Sequence, residues 1–207
     1  MAPRPVRAAI RIASLAAVFA LLAPAPRASA QGAPGFHIGV SGGAMIPVQD
    51  ESDVYNVGWN AMLVIPINFG ASPFGIRLDG SYSEIDPKSE IIDFNSGDTR
   101  IIDGTFDFVF GPHFGAFQPY IIGGVGIYDL RFRGEDVTGG NVFESSTTRF
   151  GWNVGTGFAF RVGSSNTHVF VEGRYTSVSL DSDPFHGNFE TEGRRFTLIP
   201  VNVGIIF

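Results

Sequence analysis

Three observations in the 207-residue chain predict an all-β fold, an eight-stranded antiparallel up-and-down transmembrane β-barrel. Eight segments alternate bulky apolar residues with polar residues or glycine, a period of two. The connections between those segments alternate short and long. One face of each segment is apolar, while the other carries isolated charges among glycines.

The first thirty residues read as a separate address. Arg4, Arg7 and Arg11 form a positive start, Ile12 to Ala23 is an apolar run, and Pro24 and Pro26 end any helix. Ala28-Ser29-Ala30 then puts small residues where a signal peptidase reads them. The run is shorter than the roughly 20 apolar residues a membrane-spanning helix needs. Residues 1–30 are therefore expected to be a signal peptide cleaved after Ala30, and 31–207 the barrel domain. Removing four arginines (4, 7, 11 and 27) and no acids leaves 10 basic and 20 acidic residues, a net charge of -10 in place of -6.

The strands are expected near 35–46, 57–69, 73–84, 101–112, 118–132, 149–162, 167–179 and 195–207. In Phe74-Gly75-Ile76-Arg77-Leu78-Asp79-Gly80-Ser81-Tyr82 one face is Phe, Ile, Leu and Tyr and the other Arg, Asp and Ser. In Phe150 to Phe158 a bulky apolar face opposes Gly and Asn. Tight turns lie around Asn68–Ser72, Phe114–Ala116 and Gly163–Asn166, rich in the Gly, Asn and Ser that turns need. The other connections, near 47–56, 85–100, 133–148 and 180–194, hold 14 of the 20 acidic residues. Short turns at one end and long, charged connections at the other are the pattern of a barrel across a membrane.

The apolar faces run Trp59, Ala61, Leu63, Ile65 and Ile67; Ile102, Phe106, Phe108 and Phe110; Val169, Val171 and Tyr175. Ionised groups avoid hydrocarbon, which cannot solvate them, so the opposite faces belong to the lumen. That places Arg77, Asp79, Asp103, Asp107, Asp129, Arg131, Arg161, Glu172 and Arg174 inside, five acids against four arginines. An eight-stranded interior is only wide enough to be filled by side chains, so these charges are expected to form a paired network that plugs the bore and fixes register. Aromatic residues fall into two belts on the outer face. Phe36, Phe69, Phe74, Phe110, Tyr120, Phe158 and Phe207 mark the short-turn end; Trp59, Tyr82, Tyr128, Phe132 and Trp152 mark the other.

The last segment, Val201-Asn202-Val203-Gly204-Ile205-Ile206-Phe207, sets Val201, Val203, Ile205 and Phe207 on one face. It resembles the C-terminal recognition strand of bacterial outer-membrane barrels. With the leader and eight amphipathic strands, the chain from 35 to 207 is similar to the small eight-stranded OmpA-like and OmpX-like outer-membrane barrels. The resemblance implies a Gram-negative outer membrane, lipid and lipopolysaccharide as surroundings, the outer-membrane insertion machinery as a partner, short turns in the periplasm and long loops outside. No peptidoglycan-binding domain is expected after the last strand.

Chemistry is scarce. With no cysteine there is no disulfide framework, cysteine–zinc site or thiol catalysis. The acidic balance argues against nucleic acid, whose phosphates need clustered Lys and Arg. None of His37, His113, His168 and His186 is followed two places on by Ser, the arrangement of barrel lipid A deacylases. No catalytic, cofactor or metal residues are expected, and the chain is read as a non-enzyme. Asp50, Glu51, Asp53, Asp181 and Asp183 form acidic loop clusters, read as a solvated surface in preference to divalent cation sites. Gly123-Gly124-Val125-Gly126 lies within a strand, where small residues admit neighbouring groups, and is not a phosphate loop. The sequence therefore favours a structural or surface-interacting role, membrane integrity or adhesion to an unknown surface ligand. A narrow porin-like channel for ions or small solutes is the alternative, and a lipid A-modifying enzyme the third reading.

Overall fold

The computed structural model describes residues 35–68, 72–88, 94–136, 142–163, 166–180 and 195–207. The expected leader, Phe69, Asp181, Asp183 and His186 lie outside the described residues. The strands are β1 (Gly35–Phe36), β2 (Gly39–Pro47), β3 (Gly58–Asn68), β4 (Phe74–Ile85), β5 (Phe94–Phe110), β6 (Phe117–Asp136), β7 (Val142–Arg161), β8 (His168–Ser179) and β9 (Arg195–Ile206), with a short helix α1 (Glu51–Val54) after β2. Each strand pairs antiparallel with its neighbour in sequence from β2 to β9, and β2 also pairs β9, which closes the ring. β1 continues the line of β2 beyond a break at His37 and Ile38, with Gly35 opposite Asn68 of β3. Counting β1 with β2, eight staves close the barrel, and closure satisfies the backbone groups that lipid cannot.

Alternation decides which residues line the bore. In β7, Asn153 and Ala159 are buried inside, while Phe150, Trp152, Val154, Phe158 and Phe160 point outwards and are 41–51% exposed. Similar outward rows on other staves include Leu63, Ile102, Phe108, Ile121, Ile127 and Val203. An apolar surface running round the ring is stable only against another apolar phase, because each Å² facing water costs about 25 cal/mol. The outer face is a lipid face.

The interior is layered. At the long-connection end Met45, Ile85, Ile101, Tyr128, Leu130, Val178, Phe196 and Leu198 form a buried apolar cap. Tyr55, next to α1, leans over it with its ring edge-on to Phe196 at 5.7 Å, and burial raises its phenol above the ordinary value. Towards the short-turn end a second cluster joins Met62, Val64, Tyr120, Ile122, Ala159 and Phe170. Between the two lie the charges.

Three staves run longer than the sequence pattern suggests. β5 has 17 residues and β6 and β7 have 20 each, against nine in β2 and 12 in β8 and β9. The pairing of β7 with β8 stops at Gly151 opposite Val178, and that of β4 with β5 at Ile85 opposite Thr99. β6 nevertheless stays paired to Phe94 of β5 and Val142 of β7. The result is a three-stranded blade projecting past the described ends of its neighbours at the long-connection end, where the sequence pattern predicts connections near 85–100 and 133–148. Beyond the membrane neither face needs to be apolar, so residues such as Ser145, Ser146, Thr147 and Thr148 pair as a strand without period-two hydropathy.

Candidate functional site

The centre of the bore is a charge cluster built from i, i+2 pairs that strand geometry turns to the same face. β4 supplies Arg77 and Asp79, β8 supplies Glu172 and Arg174, and β5 adds Asp107. β4 and β8 are four staves apart in a ring of eight, so contacts between them cross the whole bore. Arg77 Nη2 lies 2.7 Å from Glu172 Oε1, and Arg77 Nε lies 3.0 Å from Asp79 Oδ2. Arg174 reaches Glu172 Oε1 at 2.5 Å and Asp107 Oδ2 at 3.1 Å, and also pairs with Asp79. All five side chains are at most 5% exposed.

Neutral donors complete the cluster. Tyr120 Oη donates to Glu172 Oε2 at 2.8 Å, Asn153 Nδ2 to Asp107 Oδ1 at 2.8 Å, and Thr105 Oγ1 to Asp107 Oδ2 at 2.7 Å. Glycines make the room. A side chain at Gly124 would collide with the Phe106 carbonyl and the Asp107 carboxylate, and one at Gly155 with Arg174 Cγ at 2.7 Å. Two arginines and three carboxylates are thus in direct contact across the bore at this level. Above the cluster a chamber of about 40 Å³ is lined by Asn60, Asp103, Tyr128, Asn153 and Arg174 among others, and Ser81 donates to Asp103.

Of the nine charges placed inside by the sequence, the structure brings Arg77, Asp79, Asp107, Glu172 and Arg174 together. Asp103 sits one layer above them. Arg161 faces the short-turn mouth, outside the cluster. Asp129 and Arg131 are corrected: they point outwards and pair with each other at 3.1 Å, with side chains 32% and 51% exposed. The exclusion of ions from hydrocarbon applies only within the membrane, and this end of β6 lies at the foot of the blade, where the outer face meets water. Their neighbours reverse with them. Tyr128 and Phe132 turn into the apolar cap, and Tyr120 into the bore, so none of the three belongs to an outer belt. Trp59 and Tyr82 remain outside, ring centroids 5.5 Å apart, as do Trp152, Phe36, Phe74, Phe110, Phe158 and Phe207.

Sequence reasoning misses Tyr120, Asn153 and Thr105 as cluster members. The available signal for Tyr120 is parity, since it shares a face of β6 with Gly124 and Gly126, the glycines that neighbouring strands crowd. Val201 and Val203 of β9, and Phe207 just after it, lie on the lipid face at 38%, 57% and 48% exposure. Among the described residues no group of three or more His, Asp or Glu is arranged to hold a metal ion.

A family model described as "Outer membrane protein beta-barrel domain" matches residues 13–207. The chain belongs to that family. As an outer-membrane barrel it sits in the lipid and lipopolysaccharide of the outer membrane. Among solved structures it is similar to Neisserial surface protein A, at 16% identity and TM-score 0.56, over 85% of this chain and 98% of that one. It is also similar to a major outer membrane protein from Thermus thermophilus, at 13% identity and TM-score 0.55, over 83% and 98%. A third is Ail, the attachment invasion locus protein of Yersinia pestis, in complex with the heparin analogue sucrose octasulfate, at 16% identity and TM-score 0.50, over 83% and 97%. At these identities the likeness is one of fold. No curated protein sequence matches the chain significantly.

Proposed function

We propose that this barrel is a sealed outer-membrane platform whose work is done at the cell surface by its blade, in adhesion or in upkeep of the envelope. The observation that carries the reading is the projection of β5, β6 and β7. Residues 142–150 of β7 continue for about 30 Å, at ~3.3 Å per residue, past the last β8 partner. Among the described residues nothing pairs with that outer edge, and an unpaired edge offers a row of N–H and C=O groups to an extended segment of another molecule.

The surface ligand is not expected to be a sulfated polyanion such as the one bound to Ail. The outer connections of this chain carry 14 acids against Lys88, Arg100, Arg133 and Arg194. A cationic or neutral partner suits that field. The leader, cleaved after Ala30, and the insertion strand read by the outer-membrane machinery through Val201, Val203, Ile205 and Phe207 belong to the same proposal, as does the absence of enzymatic activity.

The test replaces the blade tip, residues 133–144, with a two-residue Asn-Gly turn that keeps Phe132 opposite Ser145 and leaves the ring intact. Cells carrying the shortened barrel should lose surface attachment while the protein still shows the heat-modifiable gel migration of a closed barrel. Unchanged attachment, with altered uptake of small solutes, would overturn the platform reading in favour of a channel.

A further inference from the structure

The short-turn mouth holds a cavity that the platform reading does not use. Its volume is about 320 Å³, within the range of small-molecule pockets, and it opens below the lower apolar cluster. Arg161, His37, His113 and His168 line it together with Asn68, Gln118 and Asn166. Val109, Ala159, Phe170 and Ile206 supply an apolar wall. Among the described lining residues there is no Asp or Glu. That is unexpected in a chain with 20 acids and only four histidines, three of which meet here.

The hydrogen bonds fix which imidazole atoms can act. His168 Nδ1 lies 2.8 Å from the Asn166 carbonyl, and His37 Nδ1 lies 3.1 Å from the main-chain oxygen of Phe207. A carbonyl only accepts, so Nδ1 carries the proton in both rings and Nε2 is a bare acceptor while the ring is neutral. Protonation adds an N–H at Nε2 and a positive charge in the same step. The mouth therefore changes from one firm cation, Arg161, to a cluster of cations as the imidazoles load.

Among the described side chains lining the mouth none is acidic, and the negative group that meets the rings is the Phe207 main-chain oxygen, 3.1 Å from His37 Nδ1. From β4, Arg77 reaches the cavity but is held by Asp79 and Glu172. From β6, Tyr120 donates its proton to Glu172, which lies behind it on β8. β3 offers Pro66 and Asn68, β5 Val109, and β9 Ile206 with the Phe207 oxygen at the end of the sequence. Among the described residues Arg161 enters none of the ion pairs.

We propose that this mouth is a binding site for a small organic anion from the periplasm, an apolar body against Phe170 and Val109 with its carboxylate or phosphate on Arg161 and the protonated histidines. Binding tightens as pH falls. It is independent of the blade and of any ligand outside the cell.

The test uses the full barrel in maltoside micelles, with the histidine ring resonances followed by NMR during titration with benzoate, whose charge is constant across the histidine range. At about pH 6, saturable shifts should appear in His37, His113 and His168. At about pH 8 affinity should fall about tenfold. Arg161→Gln should weaken binding by a similar factor while migration on a gel still reports a closed barrel. His37→Gln combined with His168→Gln should keep weak binding and flatten its pH dependence. Benzyl alcohol, apolar but neutral, should not compete. Non-saturable shifts, equal affinity at both pH values or in Arg161→Gln, or displacement of benzoate by benzyl alcohol would each overturn the proposal. So would loss of benzoate binding in phosphatidylglycerol nanodiscs, which would make a lipid headgroup the occupant.

Discussion

Arg174 offers the sharpest perturbation of the plug. Its guanidinium contacts three carboxylates, those of Asp79, Asp107 and Glu172, and its side chain is 5% exposed. Arg174→Met keeps an unbranched apolar stem but leaves three buried carboxylates facing Arg77 alone. Breaking a buried charge network by removing one partner costs about 3–5 kcal/mol, because the remaining charges stay desolvated without compensation. The matched control is Arg131→Met, which removes an arginine from a pair at the same 3.1 Å spacing but with side chains 51% and 32% exposed. Water and salt screen that pair, so the cost should be about 0–1 kcal/mol. Equilibrium unfolding in urea, followed through the fluorescence of Trp59 and Trp152 in lipid vesicles, measures both. A large loss for Arg174→Met and a small one for Arg131→Met is expected. Equal losses would refute the separation of Asp129 and Arg131 from the plug; a loss below about 1 kcal/mol for Arg174→Met would refute the plug's role in stability.

Three further outcomes follow from the same geometry, and a fourth from the leader. Tyr120→Phe removes the hydroxyl that meets Glu172 at 2.8 Å and should cost about 1.5–3 kcal/mol in the same unfolding assay, the range for a hydrogen bond to a charged group. Gly124→Val places a branched side chain against the Asp107 carboxylate and the Phe106 carbonyl. It should destabilise by at least about 1–3 kcal/mol or prevent the heat-modifiable form from appearing. Leu63→Arg, in the middle of a stave on the lipid face, should cost about 2–4 kcal/mol, whereas the same substitution at Ser146 on the blade should be close to neutral. Amino-terminal sequencing of the exported protein should begin at Gln31, and a start within 1–20 would contradict the leader assignment.

Much of the barrel is legible in the sequence because lipid imposes a rule that one residue in two must obey. Leu63, Phe108, Val154 and Val203 satisfy it, and turns such as Phe114–Ala116 punctuate it. The plug is legible in part for the same reason: Arg77 with Asp79, and Glu172 with Arg174, are ionised pairs on otherwise apolar staves, and only the lumen can hold them. What the pattern hides lies where the rule lapses. Near the outer end of the bore both faces of β6 are apolar, Ile127 beside Tyr128, so parity becomes ambiguous and the charges after it are assigned to the wrong side. The cap carries the same signal in Ile101-Ile102, a doubly apolar step in which one residue faces lipid and its neighbour fills the bore. On the blade, water bathes both faces, and Ser145 to Thr148 form a strand that no hydropathy period announces. Pairing partners across the bore, such as Arg77 with Glu172, depend on ring closure and are beyond any local pattern.

The five charged side chains in contact across the middle of the bore support the proposal of a sealed platform in place of a pore. Conductance across a planar bilayer tests it most directly. Purified barrel at neutral pH should give no steady current above that of the bare membrane, and Arg174→Met at most brief, irregular openings. Large, long-lived unitary channels from the unaltered protein would contradict the account.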